Sequence, residues 1–117
     1  MKLIDCFMYF DEDMVLDIRL NTLHEKVDEF IIVESTKNHA GKDKKLNFKI
    51  ENFSKFKDKI NYIVVEDMPK YVISPKKGWH ENHVRDQFQR NAIERGYNKH
   101  SEDDLIMISD IDEIPDP

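Results

Sequence analysis

Cysteine is almost absent from this sequence, and its scarcity excludes a whole class of proteins. The only cysteine among the 117 residues is Cys6, so no disulfide can form within the chain. Small secreted domains that depend on a disulfide framework are therefore excluded. Because Cys6 lies in an apolar run, a small buried side chain is favoured there over a reactive nucleophile.

Glycine is also rare, and no two of the three glycines are close together. Gly41, Gly78 and Gly96 are all isolated, so the sequence contains neither a Walker phosphate loop nor a dinucleotide-binding fingerprint. The glycine-serine-glycine elbow of the α/β-hydrolases is missing as well.

Basic residues are outnumbered, and long apolar runs do not occur. Lys and Arg number 18 against 24 Asp and Glu, which gives a net charge of −6 and a pI near 5.3. Such a chain would be repelled by phosphates, so generic nucleic-acid binding is disfavoured, whereas carboxylates suit a divalent cation. No apolar stretch approaches the ~20 residues of a membrane-spanning helix, and no signal peptide is recognisable. One modest domain in a reducing, cytoplasmic location is expected.

Four short apolar runs are present, and each is predicted to form a strand. They cover residues 3–10, 30–35, 60–66 and 105–109. The runs are continuously apolar, which favours strands that are buried on both faces, as in α/β sheets.

The segments between the runs favour helices and one loop. An apolar stripe at helical spacing follows the first run, residues 51–59 favour a short helix with Phe53 and Phe56 inward, and residues 80–95 favour a helix that stops at Gly96. Residues 36–49 are basic and polar, and they favour a loop whose lysines are solvated. The first stripe comprises Leu16, Leu20, Leu23 and Val27, the second comprises Val84, Phe88 and Ala92, and the loop lysines are Lys42, Lys44 and Lys45.

This alternation predicts an α/β fold with a Rossmann-like, mainly parallel sheet and flanking helices. Ligands bind such sheets at the carboxyl ends of the strands. Each predicted strand ends in polar or acidic residues, so oxygen ligands are expected along one edge. These residues are Asp11, Glu34, Ser35, Glu66, Asp67, Asp110 and Asp112.

The clearest candidate site follows the last run, in the sequence LIMISDIDEIPDP. In an extended segment, side chains two positions apart point the same way, so Asp110 and Asp112 are expected to share one small volume. Two hard oxygen donors suit Mg²⁺ or Mn²⁺ bridging to a substrate phosphate. The competing interpretation is a solvated acidic turn. An EF-hand is excluded because its fifth and sixth positions would be Ile114 and Pro115.

Two weaker candidates lie on the predicted helix over residues 80–95. The histidines of WHENH are three apart rather than four, so the zinc-protease arrangement is not formed. Arg85 and Arg90 could meet a diphosphate, with surface ion pairing to Asp86 or Glu94 as the competing interpretation.

Taken together, four stretches resemble the N-terminal half of glycosyltransferase family 17. They are IDCFMYFDEDMVLDIRLNTL, VDEFIIVESTKNHAGKDKKLNF, FQRNAIERG and DDLIMISDIDEIP. This family includes the β-1,4-mannosyl-glycoprotein 4-β-N-acetylglucosaminyltransferases and their microbial relatives. The segments SDIDEIP and VDEFIIVES carry the resemblance most specifically.

The resemblance implies a GT-A fold, a UDP-sugar donor (UDP-GlcNAc by analogy) and a glycan or glycoprotein acceptor. It implies that Asp110 and Asp112 hold Mn²⁺ or Mg²⁺ as a D-x-D motif, with Glu34, Arg90 and Asn91 on the donor side. The general base of an inverting transfer is expected beyond Pro117. Residues 1–117 are therefore interpreted as a donor-binding half that is truncated after the D-x-D motif.

Two other functions stay open at this point. One is a catalytically incomplete module that binds a nucleotide-sugar or a partner. The other is a metal-dependent nucleotidyltransferase, which would use the same carboxylates but usually needs the glycine-rich loop that is missing here.

Overall fold

A four-stranded parallel sheet forms the centre of the described fold, in the order β3-β2-β1-β4. The structure is a computed structural model that describes residues 1–69, 81–98 and 100–116. The strands are β1 (Leu3–Met8), β2 (Glu29–Ser35), β3 (Ile60–Val65) and β4 (Leu105–Ile108). The predicted α/β, Rossmann-like class and all four strands are confirmed.

Helices connect these strands. They are α1 (Asp13–Leu23), a 3₁₀ helix (Ile50–Lys59), α2 (Glu81–Asn91) and α3 (Glu94–Tyr97). The 3₁₀ helix is kinked at Phe53, whose φ and ψ are −128° and 31°, and it buries Phe53 and Phe56 as expected. Among the residues that the structure describes, no helix has the length and apolar character needed to cross a membrane.

The two central strands bury side chains on both faces of the sheet, as their continuously apolar sequences predict. On one face, Phe7 and Phe30 pack with the buried residues of α1 and the 3₁₀ helix. On the other face, Ile4, Cys6 and Ile31 pack with residues that follow α2. The alternation along β1 therefore directs its odd-numbered residues toward α1.

The helical prediction for residues 80–95 needs two corrections. The helix α2 ends at Asn91 and a turn leads into α3, so Gly96 lies inside α3 and does not stop the longer helix. A Cβ at Gly96 would lie 2.6 Å from Cγ2 of Ile31, so glycine there permits close packing of α3 on β2. His80, the first residue of the predicted helix, lies outside the described residues.

The buried stripe of α2 is also more polar than predicted. Arg85 is 2% exposed and Gln89 is fully buried, whereas Val84 and Phe88 are only partly buried. Arg85 donates hydrogen bonds to the carbonyl oxygens of Pro69 (2.9 Å) and His39 (3.2 Å). Its guanidinium therefore contributes to internal packing of α2 against the loop that follows β2, and Arg85 does not lie at the surface, as the ion-pair interpretation required.

Candidate functional site

An open cleft of about 510 Å³ lies where β1 and β4 end. The segment after β1, the first turns of α1, the helix α2 and the turn after β4 all contribute to it. This is the edge at which parallel sheets bind ligands. The lining residues are Met8, Phe10, Glu12, Val15, Asp86, Arg90, Asp110, Ile111 and Asp112.

Asp110 and Arg90 form a direct ion pair at this cleft. The guanidinium Nη2 of Arg90 donates a 2.8 Å hydrogen bond to Oδ1 of Asp110, and it lies 3.8 Å from Oδ2 of Asp86. The hydrogen bond with Asp110 raises the pKa of Arg90, while partial burial acts in the opposite direction. About half of the Asp110 side chain stays exposed, so the carboxylate is accessible from the cleft.

A tight turn, rather than an extended segment, presents the two aspartates. The amide of Glu113 donates to the carbonyl of Asp110 (2.9 Å), and the amide of Asp110 donates to Oε1 of Glu113 (2.8 Å). The prediction that strand alternation aligns Asp110 and Asp112 is therefore wrong in its geometry. Both residues nevertheless line the same cleft, so the turn places them beside one open space.

Sequence reasoning missed a buried ion pair behind this turn. Arg19 of α1 and Asp5 of β1 are both fully buried, and Arg19 donates two hydrogen bonds to the Asp5 carboxylate, at 2.8 Å from Nε and 2.6 Å from Nη2. A signal was present in the sequence. Asp5 interrupts an apolar strand, and Arg19 falls within the apolar stripe of the helix beside it, so opposite charges occupy inward positions of two neighbouring elements.

Comparison with known families assigns the whole chain to one of them. The family model described as Glycosyltransferase family 17 matches residues 1–117, the whole chain. The chain belongs to glycosyltransferase family 17. No curated protein and no solved structure gives a significant match. Family membership supports a glycosyltransferase role, and it implies a nucleotide-sugar donor and a glycan acceptor.

Glu34 of this family 17 chain is occupied by internal contacts. Its fully buried carboxylate accepts hydrogen bonds from Lys44 Nζ (2.7 Å), the amides of Asn47 (2.7 Å) and Phe48 (3.1 Å), and the hydroxyl of Tyr62 (2.6 Å). Burial, followed by the bond to Glu34, raises the pKa of Tyr62. The expectation that Lys44 is a solvated loop lysine is therefore wrong. Glu34 holds the loop after β2, and donor contact by Glu34 stays a prediction.

The structure separates the two neighbours Arg90 and Asn91. Arg90 lines the cleft, whereas Asn91 lines a different depression of about 270 Å³ between the end of α2 and α3. The side-chain oxygen of Asn91 accepts a hydrogen bond from Nε2 of Gln87 at 2.8 Å. Of the two, Arg90 is therefore the one placed to reach a ligand in the cleft.

The acidic pair would fit a hard divalent cation that the protein holds only in part. Across residues 1–69, 81–98 and 100–116, no three His, Cys, Asp or Glu side chains are grouped to hold a metal ion. Asp110 and Asp112 thus offer two carboxylates at an open cleft. Mg²⁺ is commonly bound in this way, through one or two carboxylates together with water and substrate phosphates.

Proposed function

We propose that the cleft binds the diphosphate of a UDP-sugar together with Mn²⁺ or Mg²⁺, and that the enzyme transfers the sugar to a glycan hydroxyl. The observation that supports this most is the convergence of Asp110, Asp112 and Arg90 on one cleft at the carboxyl edge of the sheet. By the family resemblance, the sugar is N-acetylglucosamine and the acceptor is a glycoprotein-type glycan.

Each group in the cleft has a distinct task in this proposal. Asp110 and Asp112 hold the dication, which supplies charge neutralisation for the departing nucleoside diphosphate. Arg90 exchanges its bond to Asp110 for bonds to phosphate oxygens, which a guanidinium matches in geometry. Met8, Phe10 and Val15 give the cleft an apolar wall, which lowers the local dielectric and strengthens these charge interactions.

Calorimetry with UDP tests the proposal. UDP is expected to bind the unsubstituted chain when Mn²⁺ is present and to bind much more weakly after chelation. Asp110→Ala should weaken UDP binding in Mn²⁺ by at least about tenfold, since losing one charged contact costs roughly 1.5–3 kcal/mol.

Asp103→Ala is the matched control. Asp103 is an exposed aspartate before β4, so it lies at the amino-terminal ends of the strands, away from the cleft. It should bind UDP like the unsubstituted chain. UDP binding by folded protein that is indifferent to both Mn²⁺ and Asp110 would rule out the proposed site.

A further inference from the structure

The turn that carries the two aspartates is held from behind by one side chain, Arg19. Nη1 of Arg19 donates to three main-chain carbonyls of the turn, and Nη2 donates to the hydroxyl of Ser109. The partners are Asp110 O (2.8 Å), Ile111 O (3.2 Å), Glu113 O (3.1 Å) and Ser109 Oγ (2.7 Å). A single guanidinium thus contacts four of the five residues from 109 to 113.

Arg19 is itself fixed in position by its surroundings. Its side chain is fully buried, its remaining donors bind the carboxylate of Asp5, and its guanidinium lies 4.6 Å from the ring centroid of Phe7. Asp5 and Phe7 belong to β1, so the orientation of Arg19 is set by the central strand. The turn is therefore tied to the rigid part of the sheet through one charged group.

Three of the four contacts that Arg19 makes with the turn use main-chain oxygens, and none of them uses a carboxylate of the turn. Arg19 binds the carbonyl of Asp110, while the Asp110 side chain points away to Arg90 and the cleft. Binding carbonyls of residues 110, 111 and 113 limits the peptide orientations available to the turn. The directions of the Asp110 and Asp112 side chains depend on those orientations.

We propose that Arg19 is a positioning residue for the cation site, and that it holds the turn in the orientation that presents both aspartates to one ion. The inference rests on the proposed metal-diphosphate function of the cleft. It assigns Arg19 no contact with substrate. Groups that orient metal ligands from behind affect metal affinity strongly, and their loss commonly lowers it about 10–100-fold.

The first test is Mn²⁺ affinity in the presence of UDP, measured by calorimetry or from the spin-resonance signal of free Mn²⁺. Arg19→Lys keeps the charge beside Asp5 but cannot span the carbonyls of the turn, because a lysine ammonium is a compact point donor. Mn²⁺ affinity should fall about 10–100-fold in the folded variant. In metal-free protein, the amide of Glu113 should also exchange with deuterium faster.

A second variant covers the case in which Arg19→Lys does not fold. Asp5→Leu combined with Arg19→Met removes both buried charges together, which leaves neither one uncompensated. It should fold and show the same loss of Mn²⁺ affinity.

Lys59→Met is the matched control for stability. Lys59 also donates to two main-chain carbonyls, those of His24 and Val27, but it does so at the amino edge of the sheet. Its loss should lower stability and leave Mn²⁺ affinity and Glu113 exchange unchanged.

The outcomes separate this inference from the proposed function. Unchanged Mn²⁺ affinity in both folded Arg19 variants, with affinity lost in Asp110→Ala, would overturn the positioning role alone. An equal loss in Lys59→Met would also overturn it, because the effect would then follow global stability. Mn²⁺ binding that survives Asp110→Ala would overturn the cation site and the positioning role together.

Discussion

At the scale of single residues, the proposed ligand binding would have to rearrange an ion pair of the cleft. Asp110 is bound to Arg90, and the two side chains are partly exposed, at 52% and 31%. A cation arriving at Asp110 meets the positive charge of Arg90, whereas a diphosphate arriving at the cleft is attracted by it. The same side chain should therefore oppose one ligand and favour the other.

Arg90→Gln should consequently shift two affinities in opposite directions. Binding of Mn²⁺ alone should tighten by about 1.5- to 5-fold, which corresponds to the roughly 0.2–1 kcal/mol of a partly exposed ion pair. Binding of UDP with Mn²⁺ should weaken by at least about tenfold, because a charged donor to phosphate is lost. Two calorimetric titrations measure these effects.

Arg95→Gln is the control for that experiment. Arg95 pairs with Asp67 at 2.9 Å on the surface, and neither residue lines the cleft. Both affinities should stay unchanged in Arg95→Gln. If Arg90→Gln weakened Mn²⁺ and UDP in parallel, Arg90 would be supporting the fold of the site and not exchanging partners.

At the scale of secondary-structure elements, the strands followed from the sequence more closely than the helices did. Apolar runs mark all four strands, and the central strands β1 and β2 are buried on both faces as such runs predict, whereas the outer strand β4 exposes Leu105 and Ile108. The end of α2 could not be predicted, since Gly96 is a helix stop in one context and a close-packing position in another. Its actual role depends on the distance to Ile31, which is a tertiary feature.

Gly96→Ala tests that packing role, because close packing and helix propensity predict opposite changes in the free energy of unfolding. Alanine is favoured over glycine inside a helix by about 1 kcal/mol. The added Cβ would lie 2.6 Å from Ile31 Cγ2, and overpacking costs roughly 1–3 kcal/mol. Net destabilisation is therefore expected in urea unfolding. Glu94→Ala, at an exposed position of the same helix, should change stability by less than about 0.5 kcal/mol, and a stabilised Gly96→Ala would refute the close contact.

At the scale of the whole molecule, three weakly acidic side chains that are buried or partly buried, those of Cys6, Tyr9 and Tyr62, make the stability of the fold sensitive to alkaline pH. Burial raises the pKa of Cys6 from 9.0 to about 12. Burial also raises the pKa values of Tyr9 and Tyr62, helped by their bonds to Asp13 and Glu34. These groups ionise at lower pH in the unfolded chain than in the folded one. Their contribution to stability is therefore complete below about pH 9 and is lost as the pH rises above it.

The free energy of unfolding should accordingly fall between pH 8 and pH 10. Urea titrations at the two pH values measure this fall. The double variant Cys6→Ala, Tyr62→Phe should show a smaller fall, because two of the ionising groups are removed. In the native state at pH 8, the buried thiol should also react with alkylating reagents only at the rate of unfolding. A native protein as stable at pH 10 as at pH 8, or rapid native labelling of Cys6, would contradict this account of the core.

The candidate site was only partly predictable, because it is assembled by long-range contacts. Asp110 and Asp112 stood out as a D-x-D pair after an apolar strand, but their turn is hydrogen-bonded to Arg19, about 90 residues earlier in the chain. Arg90 and Asn91 are adjacent in sequence, yet α2 directs them to different depressions. The UDP donor, the cation, the acceptor and the cytoplasmic location all stay predictions.

The most direct test of the central claim is a crystal structure of the protein soaked with UDP and MnCl₂, with the metal located by its anomalous scattering. The predicted result is one manganese peak in the cleft, coordinated by carboxylate oxygens of Asp110 and Asp112 and by diphosphate oxygens, with Arg90 turned from Asp110 to the phosphates. Manganese and UDP bound away from these aspartates would contradict the proposed donor site.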